Sequence, residues 1–82
     1  MAEFEILMFA AGRDLSGTDV LVVEVESPTS AAMILQRIGE LVPAIAPMLP
    51  ACRLAVDQSF VAGDALIDAD AEIALIPPVS GG

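Results

Sequence analysis

The stretch Ser27–Pro43, SPTSAAMILQRIGELVP, carries a helical pattern in a chain whose other patterned segments are typical of strands. Its apolar residues recur at a spacing that places them on one stripe of a helix. They are Ile34, Leu35, Ile38, Leu41 and Val42. Ser27 and Pro28 suit the N-cap and the first helical position, and Pro43 cannot continue a helix. We therefore predict one core helix that begins at Ser27-Pro28 and ends before Pro43.

Segments typical of β-strands lie on both sides of this helix. They are Glu3–Ala11, Val20–Val25, Arg53–Asp57 and Glu72–Pro77, with shorter extended pieces in Gln58–Asp70. The glycines and aspartates of Gly12–Asp19 predict a turn that joins the first two strands as a hairpin. A proline-punctuated connector, Ala44–Ala51, follows the helix. In this order, one main helix packs on one face of a mixed sheet. The predicted fold is an α+β roll of the β-grasp type, with the first and last strands parallel at its centre.

The length of 82 residues allows one small domain with one modest core. We predict a domain over residues 1–78 and a flexible tail over residues 79–82, because Pro77 and Pro78 block further sheet pairing. The longest strongly apolar stretch, Leu41–Cys52, is interrupted by prolines and is shorter than the roughly 20 residues of a membrane span. No basic segment leads into an apolar one near Met1. The expectation is a cytoplasmic protein without a membrane partner.

The charged residues limit the classes of function. Twelve acidic residues against three arginines give a net charge of −9, which disfavours nucleic acid as a partner. The acidity either steers the domain toward basic protein surfaces or simply keeps it in solution. There is no histidine, lysine, tyrosine or tryptophan, so the commonest general base and the Schiff-base amine are missing. This composition favours a carrier or binding module over a catalyst that works alone.

Neither the cysteine nor the aspartates match the pattern of a metal site. Cys52 is the one cysteine, and beside Leu54 it is expected to be buried and inert. Asp64, Asp68 and Asp70 do not match a calcium-loop pattern and are expected to be solvated turn residues. In the same region, we expect apolar side chains to anchor the extended pieces to the core. They are Phe60, Val61, Leu66 and Ile67.

The sheet face away from the helix is unusually apolar at one end. Leu7 and Phe9 of the first strand should lie near Ala74 and Ile76 of the last strand, at the end from which the tail leaves. A contiguous apolar patch typically marks a protein interface. The alternative is that Gln58–Asp70 folds over this patch and buries it.

The tail Val79–Gly82 is thin and can reach outward. Gly81 and Gly82 lack Cβ atoms, so they can pass through a tunnel too narrow for other residues. A terminal carboxylate is a poor electrophile and must be activated, typically by adenylation, before sulfur or a thiol can attack it. Such a reaction needs no catalytic side chain from this chain itself.

Three segments resemble the small, ubiquitin-like sulfur-carrier subunits of molybdopterin synthase. They are Phe9–Gly17 (FAAGRDLSG), Ala55–Val61 (AVDQSFV) and Ala74–Gly82 (ALIPPVSGG). The resemblance implies that an adenylyltransferase activates the Gly82 carboxylate with ATP and magnesium, and that a sulfur donor converts it to a thiocarboxylate. It also implies that the tail enters the large synthase subunit and gives its sulfur to cyclic pyranopterin monophosphate. The tail residues that would thread into the site are Val79, Ser80 and Gly81. No cofactor is expected on this chain.

The family forms a heterotetramer with its large subunit, and the resemblance places Phe9 and Ile76 in that interface. The full predicted interface is Leu7, Phe9, Ile76, Pro77 and Pro78. Arg13 is either a structural ion-pair partner or a contact to the activating enzyme. The chain departs from the family where Ile76 stands in place of a common aromatic residue, and where Asp70–Ala74 lacks the usual glycine.

The same tail is compatible with other functions. The tail could carry sulfur for thiamine, tRNA thiolation or cysteine synthesis, although the closing PPVSGG favours molybdopterin. A ubiquitin-like modifier would instead join Gly82 to a lysine. A third possibility is a binding module whose tail takes no part in chemistry.

Overall fold

A mixed sheet crossed by one main helix forms the body of the protein, which the computed structural model describes over residues 1–77. The predicted tail, with the boundary at Pro78, lies outside the described residues. The helices are α1 (Ala10–Ser16), α2 (Ala31–Leu41) and a 3-10 helix (Ala46–Ala51). The strands are β1 (Ala2–Met8), β2 (Val20–Val25), β3 (Thr29–Ser30), β4 (Arg53–Val56), β5 (Ser59–Phe60), β6 (Leu66–Ile67) and β7 (Ile73–Ile76).

The strand order of the main sheet is β2-β1-β7-β4-β5, so the first and last strands occupy adjoining central positions. β1 and β7 are parallel, with Leu7 beside Ala74, whereas β1–β2 and β4–β7 are antiparallel. The short strands β3 and β6 pair separately. The predicted α+β roll is therefore confirmed, and with it the parallel pairing of the first and last strands.

The core lies between α2 and one face of the sheet. Alternate residues of β1 and β7 point into it, as the period of a half-buried strand requires. The largest fully buried side chains are Phe4, Ile6, Met8, Val23, Ile34, Ile38, Ile45, Leu54, Ile73 and Leu75. Because all of these are apolar, the hydrophobic effect supplies most of the stability of this layer. No helix within residues 1–77 is long and apolar enough to cross a membrane.

The start of the main helix differs from the prediction. Helix α2 begins at Ala31, and the Ser30 side chain caps it by accepting a hydrogen bond from the Met33 backbone N–H at 3.3 Å. The prediction of a start at Ser27-Pro28 is wrong because Thr29 and Ser30 pair with β6, which extends the backbone up to the cap. Within the stripe, Ile34 and Ile38 are buried, but Leu41, at the end of the helix, is 42% exposed.

A glycine in α2 permits close packing of the segment that follows. A Cβ atom on Gly39 would lie 2.9 Å from Cδ1 of Leu49 in the 3-10 helix, closer than carbon atoms approach each other. Glycine in a helix costs about 1 kcal/mol relative to alanine. Here it allows the connector Ala44–Ala51, which contains the 3-10 helix, to fold back on α2.

The connection between β1 and β2 contains a helix in place of the predicted turn. Gly17 caps the C-terminus of helix α1, because its φ of 75° suits glycine and its N–H donates to the Arg13 carbonyl. Gly12 is buried, and an ideal Cβ at this position would lie 3.6 Å from the side-chain tips of Met8 and Leu75, an ordinary van der Waals contact. The predicted hairpin itself forms, with six residue pairs between β1 and β2.

Strands β4 and β5 are joined by the two residues Asp57 and Gln58, with φ values of 51° and 70°. Positive φ at both positions defines a type I′ turn, which matches the twist of a hairpin and favours Asn-Gly. The Asp57 carboxylate also accepts a hydrogen bond from the Glu72 backbone N–H at 3.0 Å, which ties the turn to the start of β7.

Replacing Ile38 with alanine will destabilise the protein by about 2–5 kcal/mol, because it leaves a cavity between α2 and the sheet. Chemical denaturation monitored by circular dichroism measures the change. Leu41→Ala, on the same helix, is the matched control and will change stability by no more than about 0.5 kcal/mol. Equal losses in both variants would contradict the assigned helix face.

Replacing Gln58 with glycine will stabilise the protein by about 0.5–1 kcal/mol, because glycine removes the steric cost of the left-handed backbone. Gln58→Ala keeps a Cβ atom and will show no such gain. The unfolding midpoints of the two variants in the same denaturant series test this. A gain for alanine equal to that for glycine would mean that the side chain, and not the backbone, is responsible.

Candidate functional site

The sheet face opposite α2, here called the outer face, carries one apolar row across its centre. Leu7 of β1 lies beside Ala74 of β7, Ala74 lies opposite Ala55 of β4, and Ala55 lies opposite Phe60 of β5. The row thus has small side chains in the middle and large ones at both ends. This order of sizes produces a depression with an alanine floor.

The depression has a volume of about 320 Å³, and apolar atoms form most of its walls. It is lined by Leu7, Phe9, Ala55, Gln58, Phe60, Glu72, Ala74 and Ile76. Phe9 is 46% exposed and Phe60 is 54% exposed, although both are large apolar side chains. Exposed aromatic side chains around a concave apolar surface are typical of protein docking sites.

Three of the predicted interface residues, Leu7, Phe9 and Ile76, meet in this depression. Pro77 follows Ile76 directly and is half-buried. Pro78 lies outside the described residues, as do Val79, Ser80, Gly81 and Gly82. The alternative in which Gln58–Asp70 buries the patch is wrong, because Gln58 and Phe60 line the depression and leave it open.

Phe60 also lines the depression, although its place in the sequence predicted an anchor to the core. It belongs to the short edge strand β5 and points to the outer face, where the Arg53 guanidinium stacks over its ring at 4.3 Å from the centroid. A cation over an aromatic face is favourable and holds the ring in place. The two-residue turn after Val56 could have located it, since that turn places Phe60 opposite Ala55. Leu66 is also exposed, and of the four predicted anchors only Ile67 is fully buried.

Arg13 lies in α1, which follows the C-terminal end of β1. Because β7 is parallel to β1, the C-terminal end of β7 lies at the same end of the sheet. The Nε atom of Arg13 is 3.9 Å from Oδ1 of Asp19, and the two side chains are 55% and 80% exposed. A long ion pair between exposed side chains contributes little to stability. Contact between Arg13 and an activating enzyme stays a prediction.

Cys52 is buried between the 3-10 helix and β4, as predicted. Burial raises the pKa of its thiol, which disfavours the reactive thiolate.

Asp64, Asp68 and Asp70 are exposed. Within residues 1–77, no group of histidine, cysteine, aspartate or glutamate side chains is arranged to hold a metal ion.

The depression lies at the C-terminal end of β7. Ile76 is the last residue of β7 and also lines the depression. A protein bound there would therefore lie beside the point where the chain leaves the sheet toward Gly82. β7 thus connects the depression directly to Pro77, the last residue that the structure describes.

Comparison with known proteins supports a family assignment over most of the chain. A model of the ThiS family matches residues 6–82. The molybdopterin synthase sulfur carrier subunit of Dictyostelium discoideum is 32% identical over 83 residues, covering 98% of this chain and 96% of that protein. The corresponding subunit of Arabidopsis thaliana is 28% identical and covers 98% of this chain and 83% of that protein.

Solved structures share the fold at lower sequence identity. SAMP1 from Haloferax volcanii superposes with a TM-score of 0.84 at 22% identity, covering 99% of this chain and all of that one. A chain in the complex of subunits 1 and 2 of the molybdopterin-converting factor from Helicobacter pylori gives a TM-score of 0.63 at 17% identity, covering 98% and 99%. These neighbours agree with the ubiquitin-like β-grasp topology, and the match over residues 6–82 places the chain in the ThiS family.

Proposed function

We propose that this protein is the sulfur carrier of a molybdopterin synthase and that it carries sulfur as a thiocarboxylate on Gly82. The observation that supports this most strongly is the end-to-end similarity to molybdopterin synthase sulfur carrier subunits, together with a family match that extends through Gly82. The closing ALIPPVSGG supports the same function, since its Gly-Gly end follows the last strand by four residues.

In the proposed first reaction, an oxygen of the Gly82 carboxylate attacks the α-phosphorus of ATP. Pyrophosphate leaves, and an acyl-adenylate forms. Hydrosulfide from the sulfur donor then attacks the acyl carbon, AMP leaves, the sulfur proton goes to solvent, and the product is the thiocarboxylate. ATP and magnesium belong to the adenylyltransferase. The absence of histidine and lysine from this chain fits a division of labour in which the carrier supplies the carboxyl group and its partners supply the catalytic side chains.

The second proposed partner is the large synthase subunit, which takes the sulfur for cyclic pyranopterin monophosphate. The complex of subunits 1 and 2 from Helicobacter pylori supports a partner of this kind. The depression next to Ile76 is the surface proposed to bind it. Six extended residues from Ile76 to Gly82 reach at most roughly 20 Å, so the active site of the partner must lie within that distance of the docking surface. The assembly would be a heterotetramer in the cytoplasm.

The other candidate functions predict different products from the same tail. A carrier for thiamine, tRNA thiolation or cysteine synthesis would form the thiocarboxylate but would not transfer sulfur to the pyranopterin. A modifier would form an isopeptide bond between Gly82 and a lysine of another protein. An inert binding module would form neither product.

The purified protein, incubated with its cognate adenylyltransferase, ATP, magnesium and a sulfide source, will gain the mass that corresponds to replacing one oxygen atom by sulfur. Intact mass spectrometry measures this gain, and fragmentation locates it at Gly82. A variant that lacks Gly82 will gain no mass and will not form molybdopterin with the large subunit. It will unfold at the same denaturant concentration as the wild type. A wild-type protein that is adenylated but never acquires sulfur would rule out the carrier function.

Replacing Phe9 with aspartate will weaken binding to the large subunit by about 30-fold or more, because it puts a charge into the apolar wall of the docking surface. Isothermal titration calorimetry measures the affinity. Leu66→Asp is the matched control, since Leu66 is 76% exposed and lies outside the depression. If both variants bound as tightly as the wild type, the depression would not be the docking surface.

A further inference from the structure

The outer face of the sheet carries acidic side chains on one side of the apolar row and an arginine on the other. On one side of the apolar row, acidic side chains project from β1, from β2 and from the residue before β7. They are Glu3, Glu5, Glu24 and Glu72, here called the acidic border. On the other side of the row, Arg53 lies opposite Ile76 and over the ring of Phe60. The depression thus has a negative margin and a positive one.

The acidic border is not neutralised by the rest of the described chain. Within residues 1–77 there are two ion pairs, Arg13–Asp19 and Arg37–Glu40, and neither involves the border. Glu3 and Glu24 are directly opposite each other across β1 and β2. Like charges at such positions repel each other and destabilise a sheet. The free protein therefore contains a repulsion that a cation from outside would relieve.

The acidic border is continuous with the proposed docking surface. Glu72 belongs to both, because it lines the depression, and Glu5 lies one position before the Ile6–Ile73 pair that joins β1 to β7. A protein that covers the depression must therefore approach these carboxylates closely. Removing a carboxylate from water is costly unless a cation replaces the lost hydration. A neutral or acidic partner surface would meet this cost without compensation.

We infer that the protein which docks on the depression carries lysine or arginine side chains opposite the acidic border. This rests on the proposed function, in which that protein is the large synthase subunit. The attraction speeds the encounter, since complementary charge raises association rates. It also selects one orientation, because a partner rotated by half a turn would bring its cations against Arg53. The correct orientation places the partner beside Ile76 with the tail pointing toward its active site.

The test compares association rates of two variants that change the net charge by the same amount. Glu3→Gln with Glu5→Gln removes two charges from the acidic border, and Asp64→Asn with Asp68→Asn removes two exposed charges elsewhere. The probe is the large synthase subunit from the same organism, with binding followed by stopped-flow fluorescence at low ionic strength. We expect the border variant to associate about fivefold more slowly than the wild type, and the control variant to stay within about twofold.

Salt and thermal unfolding separate electrostatic steering from a structural effect. In about 1 M NaCl the Debye length falls to about 3 Å, so the rates of both variants and the wild type will converge. The border variant will unfold at the same temperature as the wild type or higher, because the Glu3–Glu24 repulsion is gone. A lower unfolding temperature together with a slower rate that persists in high salt would overturn the inference.

The outcomes also distinguish this inference from the proposed function. If the wild type binds the large subunit and both variants associate at equal rates, the basic partner surface is wrong and the proposed function stands. If the wild type fails to bind the large subunit at all, the proposed partner and this inference fall together. If the wild type binds and the border variant is selectively slowed, both are supported.

Discussion

The parallel hydrogen-bonded pairing of β1 with β7 is the constraint on which the rest of this small structure depends. It brings the two ends of the folded domain to the centre of the sheet and gives both strands neighbours on each side. Their alternate residues then supply five buried apolar side chains to the core on one face, and Leu7 and Ala74 to the apolar row on the other. The order of the remaining strands follows, since β2 and β4 can pair only on the outer edges of this central pair.

A second constraint follows from the size of the chain. One main helix covers one face of the sheet, and 82 residues leave little material to cover the other. In most antiparallel sheets with one solvated face, that face is polar. Here it is polar at the acidic border and at Arg53, and the depression between them is apolar. The free protein thus leaves apolar surface in water close to the strand that leads into the tail, and the bound partner is expected to cover that surface.

Much of this arrangement could be predicted from the sequence, because it depends on local periodicity. The alternation in β1 and β7 and the helical spacing around Ile34 and Ile38 determine which side chains face the core. What could not be predicted depends on pairing between distant segments. The start of α2 is set by the pairing of Thr29 with Ile67 in β6, and α1 packs against the ends of two strands.

The candidate site could also be predicted only in part from the sequence. The meeting of Leu7, Phe9 and Ile76 follows from the parallel pairing of the first and last strands, which the element order already indicates. The place of Phe60 does not, because an apolar residue in a short, irregular region is normally assigned to the core. Its exposure results from an edge strand and a two-residue turn with positive φ, and its orientation is stabilised by Arg53. The charge division of the outer face likewise requires the strand register, since Glu3 and Glu24 are distant in sequence.

The position of β7 between two hydrogen-bonded neighbours also has a mechanical consequence. A pull on the residues after Pro77 acts along the axis of β7, so it loads the bonds to β1 and β4 in shear. Bonds loaded in shear share the force and must break together, whereas bonds at a peeled edge break one after another. Unfolding the domain from this end would therefore require the bonds on both sides of β7 to break at once. Under the proposed function, the tail is therefore attached through a strand that is hydrogen-bonded on both sides.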